Sequence, residues 1–222
     1  FSSFLYSQNY YVKQLGIEQG LSNNSVVNIT QDKDGFLWFA TEEGLNKFDG
    51  NRFINYYKHT NHISGNELNS IYADPTEPII WIATQRAGMN AYNYEKDELT
   101  VFTHDDSNPN SLITNDVTHI SPASDGNLWL STNNGLSCLD INKLFFVNYS
   151  ISEGLPNKQF NYNSVYRADD GLLYFGTING MIAFYPENLQ MHHNIAQVEF
   201  TDFKIYGKSV TPDTIGSPLN LQ

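Results

Sequence analysis

The sequence predicts an all-β fold, a β-propeller of four four-stranded repeats. Three observations carry that prediction. The stretch Asp34–Asp49 (DGFLWFATEEGLNKFD) recurs at Asp125–Asp140 (DGNLWLSTNNGLSCLD) and Asp170–Tyr185 (DGLLYFGTINGMIAFY), with a diverged copy over Ile79–Asn93 (IIWIATQRAGMNAYN). The aromatic of each copy (Trp38, Trp81, Trp129, Tyr174) and its glycine (Gly44, Gly88, Gly135, Gly180) keep one period. That period, about 45 residues, is the spacing of propeller blades. Tyr and Phe are also abundant, 14 of each, and both suit a pleated, half-buried surface.

Each repeat reads as strands A to D. In the first, A is Val26–Gln31, B is Phe36–Thr41, C is Leu45–Phe48 and D is Phe53–Tyr57. The Asp-Gly of the A–B turn suits a tight hairpin with positive φ. The second repeat gives Leu68–Ala73, Ile79–Thr84, Met89–Tyr94 and Leu99–Thr103, with two prolines widening its first turn (DPTEP). The third gives Val117–Ser121, Asn127–Thr132, Leu136–Asp140 and Leu144–Tyr149. The fourth has A at Asn163–Arg167, B at Leu172–Thr177 and C at Met181–Tyr185, then Pro186-Glu187-Asn188 where strand D should begin.

The strand missing at the end is surplus at the start. Tyr10–Leu15 (YYVKQL) reads as a strand, and an N-terminal strand completing the last blade would close the ring and remove a long edge. Completion by a second chain is the alternative, as an eight-bladed ring or by exchange of the N-terminal strand or tail. Repeats fall at about 20–62, 63–110, 111–153 and 154–190, making residues 1–190 the propeller. Residues 191–222 form a tail in which Ile195–Val210 alternates like one or two further strands.

With 24 acidic against 12 basic residues the net charge is −12, so nucleic acid or an anionic membrane is an unsuitable partner. One cysteine, Cys138, excludes an internal disulfide. No apolar run reaches the ~18–20 residues that span a bilayer, so this chain is not expected to insert in a membrane directly. The opening FSSFLYSQNYY has neither initiator Met nor signal-peptide pattern, which points to a processed or truncated chain.

Preceded by G-L-[SP]-x-N, the pattern D-x-x-G-x-[LF]-W-[IVF]-[GA]-T-x-x-G-L-x-x-[FY]-[DN] resembles the two-component-regulator propeller repeat. The match covers about Gly20–Leu189 in four copies, and EFTDFKIYGKSV resembles the opening of the three-tyrosine β-sandwich domain that follows such propellers. The family's propellers are extracytoplasmic sensors of hybrid histidine kinases in glycan-degrading bacteria. The resemblance therefore implies a periplasmic, glycan-sensing, non-catalytic region of an inner-membrane receptor. Family members carry more repeats, so this chain resembles an internally shortened sensor, and no kinase segment is present.

The recurrent Trp38, Trp81, Trp129 and Tyr174 are read as inter-blade packing, and Thr41, Thr84, Thr132 and Thr177 as hydroxyls bonded at strand ends. No phosphate loop, nucleophile elbow or cysteine–histidine pairing is present, so no catalytic residue and no cofactor is assigned. His59-x-x-His62 lacks a third ligand, and no metal site is assigned. Candidate ligand-binding residues lie where D–A and B–C loops converge on one face: Glu42, Glu43, His59, Asn61, His62, Gln85, Arg86, His104, Asp105, Asn133, Asn134, Lys158, Gln159, Tyr162 and Asn179. Amides, imidazoles and carboxylates suit an oligosaccharide's hydroxyls as directional partners. A homodimer is the expected assembly.

Overall fold

The computed structural model describes residues 12–60 and 62–189, with the backbone of residues 204–205 and 208–209. Within residues 1–190 it is a four-blade β-propeller. Blade 1 comprises β1 (Val26–Gln31), β2 (Leu37–Thr41), β3 (Gly44–Phe48) and β4 (Phe53–Tyr56). Blade 2 comprises β5 (Leu68–Ala73), β6 (Ile79–Thr84), β7 (Met89–Asn93) and β8 (Glu98–Phe102). In blade 3 the strands are β9 (Val117–Pro122), β10 (Leu128–Thr132), β11 (Gly135–Asp140) and β12 (Phe145–Tyr149). Blade 4 shows β13 (Phe160–Arg167), β14 (Leu173–Thr177) and β15 (Gly180–Phe184) among the described residues. All four sheets are antiparallel meanders in sequence order. In the separate unit 191–222, β16 (Lys204–Ile205) pairs antiparallel with β17 (Lys208–Ser209), within the stretch expected to be strand.

In blades 2 and 3 the alternation of a central strand buries one residue against the blade before and the next against the blade after. In blade 2, Ile80 and Ile82 do so on one side and Trp81 and Ala83 on the other. Trp38, Ala40 and Leu45 meet Ile71, Ile80, Ile82 and Tyr92 between blades 1 and 2. Trp81, Ala83 and Met89 meet Ile120, Leu128, Leu130 and Leu139 between blades 2 and 3. Trp129, Leu136 and Cys138 meet Leu173 and Phe175 between blades 3 and 4. An aliphatic from each entry loop, Ile63, Leu112 or Leu155, plugs these clusters. The tryptophans are thus packing residues, as read from their repetition. The threonines are framework too: Thr41, Thr84, Thr132 and Thr177 each donate Oγ1–H to the carbonyl of the strand-opening glycine, at 2.7–3.1 Å.

Backbone-to-side-chain bonds add a second tie between consecutive inner strands. Ile71 N–H donates to Asn28 Oδ1 (3.3 Å), and Ile120 N–H donates to Ser70 Oγ (3.4 Å). Across the junction of the last and first blades, Asn163 Nδ2 donates to the Val27 carbonyl at 3.2 Å.

The strand expected over Tyr10–Leu15 differs from what is seen. Residues 10 and 11 lie outside the described residues, and Val12–Leu15 has no ladder partner, Val12 being 87% exposed. From Gly16 the chain instead turns into a 3₁₀ helix, Ile17–Gln19. Its donors are committed locally: Gly16 N–H to Gln19 Oε1 (2.8 Å) and Ile17 N–H to Asn24 Oδ1 (3.0 Å). The fourth blade also starts earlier than expected, at Phe160 rather than Asn163, for a reason that shapes the functional site.

Candidate functional site

Every innermost strand carries a bulge at its entry, where a loop reaches the axis of the ring. In blades 1 to 3 a single extra residue stands opposite the neighbour strand: Val27, Asn69 and Thr118. Blade 4 departs from this rule. Phe160 pairs with Thr177 and Val165 with Phe175, so four residues, Asn161–Ser164, face the single Gly176. Ser164 presses so closely on Gly176 that no β-carbon would fit there. Asn163 takes φ 51°, a left-handed conformation that Asn tolerates better than most residues. Bulges of this kind re-aim side chains, and this one turns Tyr162 and Asn163 toward the axis.

The result is an axial cleft of about 590 Å³ lined from blades 1, 2 and 4. Such a volume falls within the range of small-ligand sites. Blade 1 contributes Asn23, Val27, Glu42 and Glu43; blade 2 and its entry contribute Glu67, Leu68, Asn69 and Gln85; blade 4 contributes Tyr162 and Asn163. The turns carrying Glu42 and Gln85 are fixed over the inner strands by equivalent bonds, Glu42 N–H to Ser25 O (3.3 Å) and Gln85 N–H to Glu67 O (3.0 Å). Asn69 spends its amide on the Val117 carbonyl (2.8 Å), and His119 Nδ1 approaches Asn163 Oδ1 (3.4 Å). The bonds of Asn69 and Asn163 hold the rim of the cleft, while Tyr162, half exposed, is a free surface.

A neighbouring groove of about 430 Å³ shares Glu43 and Glu67 and adds Lys58 and Arg86. Asp116 lies within the field of the Arg86 guanidinium. Burial raises its carboxyl above the ordinary range, and Arg86 opposes that rise. Its Oδ2 accepts from Asn133 Nδ2 (3.1 Å), while Oδ1 is buried without a partner among the described residues. Burial also raises the Tyr162 hydroxyl, with the Gln85 side chain in hydrogen-bonding contact and Arg86 nearby pulling the other way. The cleft thus offers amides, carboxylates and one aromatic face, with one guanidinium in the adjoining groove, a set suited to hydroxyl-rich ligands. Among the described residues no cluster of His, Cys, Asp and Glu has the arrangement of a metal site.

Of the residues singled out in the sequence, the structure brings Glu42, Glu43, Gln85 and Tyr162 into the cleft and Arg86 into the adjoining groove. Asn133 joins through Asp116. The remainder fall elsewhere. His59 stacks on Tyr57 (5.0 Å), and His62 bonds Thr60 Oγ1 (2.8 Å) and faces Asp97 (3.2 Å). His104 is held by the Leu112 carbonyl (2.7 Å) and Asp106 (3.0 Å), both of which raise its pKa. Asp105 caps its own turn through Ser107, and Asn134 and Asn179 close B–C turns on Thr132 and Thr177. Lys158 and Gln159 are exposed and line none of the described clefts, and Asn61 lies outside the described residues. Missed were Asn23, Glu67, Asn69, Asp116 and Asn163. The available signal was the spacing in blade 4: Gly154 stands further from Val165 than Gly20 does from the equivalent Ile29, by two residues.

Comparison with known proteins agrees with this architecture. A sequence profile described as two component regulator propeller matches residues 20–43 and 111–134. Histidine kinase P4 of Formosa agariphila is 28% identical over 197 residues, covering 86% of this chain and 14% of the relative. The crystal structure of the extracellular domain of the putative hybrid two component system BT3049 from B. thetaiotaomicron is 51% identical, with a TM-score of 0.71 over 79% of this chain and 25% of that one. That of BT4673 from the same organism, at 24% identity and TM-score 0.63 over 77% of this chain and 24% of that one, shares the fold. So does virginiamycin B lyase from Staphylococcus aureus, at 15% identity and TM-score 0.52 over 70% of this chain and 54% of the lyase. The chain spans only a quarter or less of its hybrid-system and kinase relatives. Two of its stretches match the two-component-regulator propeller repeat, and over most of its length the chain is similar to the extracellular domain of a putative hybrid two-component system.

Proposed function

We propose that the chain is a ligand-sensing module from the periplasmic part of a two-component receptor, binding an oligosaccharide in the axial cleft without turning it over. One observation carries the reading. The enlarged bulge of β13 projects Tyr162 into a cleft already furnished with Asn23, Glu42, Glu67 and Gln85. A bulge that only turned a strand would need one extra residue, as in the other three blades. An exposed aromatic face beside amide and carboxylate groups matches the two surfaces of a sugar, the apolar C–H face and the hydroxyl edge. The similarity to extracellular domains of hybrid systems supports the sensory setting and the extracytoplasmic location.

Calorimetric titration with a panel of neutral and acidic oligosaccharides, followed by product analysis, tests this. The expected result is saturable binding with no new product, weakened about tenfold by Tyr162→Ala, equivalent to about 1.4 kcal/mol. Unchanged affinity in that variant would move the site elsewhere. A released unsaturated or hydrolysed product would show an enzyme.

A further inference from the structure

The B–C turn of blade 2 is one residue longer than its three counterparts. In blades 1, 3 and 4 two residues separate the threonine that ends the second strand from the glycine that opens the third: Glu42-Glu43, Asn133-Asn134 and Ile178-Asn179. Both are bonded to the frame. The first donates its N–H to the carbonyl just before the inner strand, Ser25, Asp116 or Gln159, at 3.3–3.4 Å. The second donates its N–H to the threonine Oγ1, at 3.0–3.2 Å. In blade 2 the same two places are filled by Gln85, bonded to Glu67 O (3.0 Å), and by Ala87, bonded to Thr84 Oγ1 (2.9 Å). Arg86 stands between them as the extra residue.

Arg86 takes no part in the frame. It is exposed, and its guanidinium makes no ion pair among the described residues. Its charge instead reaches the bulge of blade 4, close enough to the Tyr162 hydroxyl to oppose the rise that burial gives it. Two departures from the repeat, in different blades, thus converge on one place. Lys58 joins them. Its N–H donates to Asn66 Oδ1 (2.8 Å), as His104 N–H donates to Asn115 Oδ1 (2.7 Å) at the next entry loop. The His104 ring is held by its own loop, whereas the Lys58 side chain lines the groove beside Arg86. Ser64, Gly65 and Ala87 also line that groove, and their small side chains leave it open.

We propose that Arg86, assisted by Lys58, binds the carboxylate of an acidic oligosaccharide, a uronate whose neighbouring sugar unit lies on Tyr162. The inference rests on the oligosaccharide reading above and adds the ligand's charge and direction. The cleft and the groove share Glu43 and Glu67, so one chain of two or more sugar units can occupy both. A guanidinium fork meets a carboxylate with two parallel N–H···O bonds, a match that the amides of the cleft do not offer. Acidic neighbours are engaged elsewhere: Glu43 Oε1 accepts from Asn66 Nδ2 (3.0 Å), and Asp116 Oδ2 accepts from Asn133 Nδ2 (3.1 Å). A net charge of −12 repels any anion, so a preference for an acid over its neutral counterpart has to come from local contact.

Titration calorimetry with trigalacturonic acid and its methyl ester tests this, since the two share a skeleton and differ in charge. The acid is expected to bind about tenfold tighter than the ester. Arg86→Gln is expected to remove that preference by weakening the acid alone. Deletion of Arg86, which gives the turn the length it has in the other blades, is expected to do the same. Tyr162→Ala weakens both ligands. Equal affinity for acid and ester, or an acid preference that survives Arg86→Gln, would overturn the acidic subsite while leaving the sensor reading in place. Binding of neutral oligosaccharides alone would have the same meaning. Absence of saturable binding by every oligosaccharide tried would remove both.

Discussion

The three tryptophans occupy one position of the repeat, yet their indole N–H groups meet different surroundings. Trp38 donates to Asp32 Oδ2 at 2.7 Å, and Asp32 also accepts from the N–H groups of Asp34 and Phe36. In blade 2 the equivalent carboxylate, Asp74, is engaged by Thr76 and Glu77 of the proline-containing turn, and Trp81 Nε1 has no partner among the described residues. In blade 3 the position is Ala123, and Trp129 Nε1 is likewise unpaired. A buried donor without an acceptor costs about 1–3 kcal/mol, and a charged acceptor that satisfies three donors is worth more than a neutral one. Asp32→Ala is therefore expected to destabilise by about 2–3 kcal/mol, read from urea unfolding. A loss under 0.5 kcal/mol would mean that water replaces the carboxylate without cost.

At the scale of the strand, the glycine that opens each third strand is fixed by what lies across from it. Gly88 has φ +79°, and a β-carbon there would run into the Phe102 carbonyl of β8. Gly88→Ala combines left-handed strain of about 1–2 kcal/mol with displacement of a neighbouring strand, so a loss above 2 kcal/mol is expected by calorimetry. An unchanged melting temperature would show that β8 moves freely. This repeated glycine, with the aromatic before it, is why β2, β6, β10 and β14 could be placed from sequence to within a residue. The bulge of β13 was not legible in the same way. Patterning places strand A at Asn163–Arg167 by its alternation, whereas Phe160–Tyr162 reads as the end of the preceding loop. Three of the cleft's lining groups, Glu42, Glu43 and Gln85, were recoverable because B–C turns stand out between two strong strands. The fourth, Tyr162, was recoverable from the polar stretch before strand A of blade 4. Glu67 and Asn69 sit at an ordinary strand entry, and nothing in their local sequence distinguishes them. The polar D–A loops misled for a physical reason: His59, His104 and Asp105 spend their hydrogen bonds on their own loops.

For the whole molecule, the acidic excess sets a background that no single contact reveals. Among the described residues Lys and Arg make few ion pairs, such as Lys33 with Glu95 (3.0 Å) and Arg52 with Asp49 (3.3 Å), both at the surface. Exposed pairs contribute little, and a net charge of −12 on a compact chain is self-repulsive. Screening falls to about 8 Å at physiological ionic strength and shortens further with added salt. The melting temperature is accordingly expected to rise between low salt and 0.5 M sodium chloride. A fall would show that the surface pairs outweigh the repulsion.

The cleft draws its lining from the first, second and last blades, and the bond at its rim joins Asn163 to a residue 136 positions earlier. A ligand seated there would be a cross-link between remote parts of the chain. Its binding free energy would be collected only when both ends of the ring are in place, and would add RT ln(1 + [L]/Kd) to stability. In the language of polymers it closes a long loop, so occupancy would be reported as a tightening of the whole circle rather than as a shift of one side chain. A sensor built this way would read its ligand in the stiffness of its perimeter.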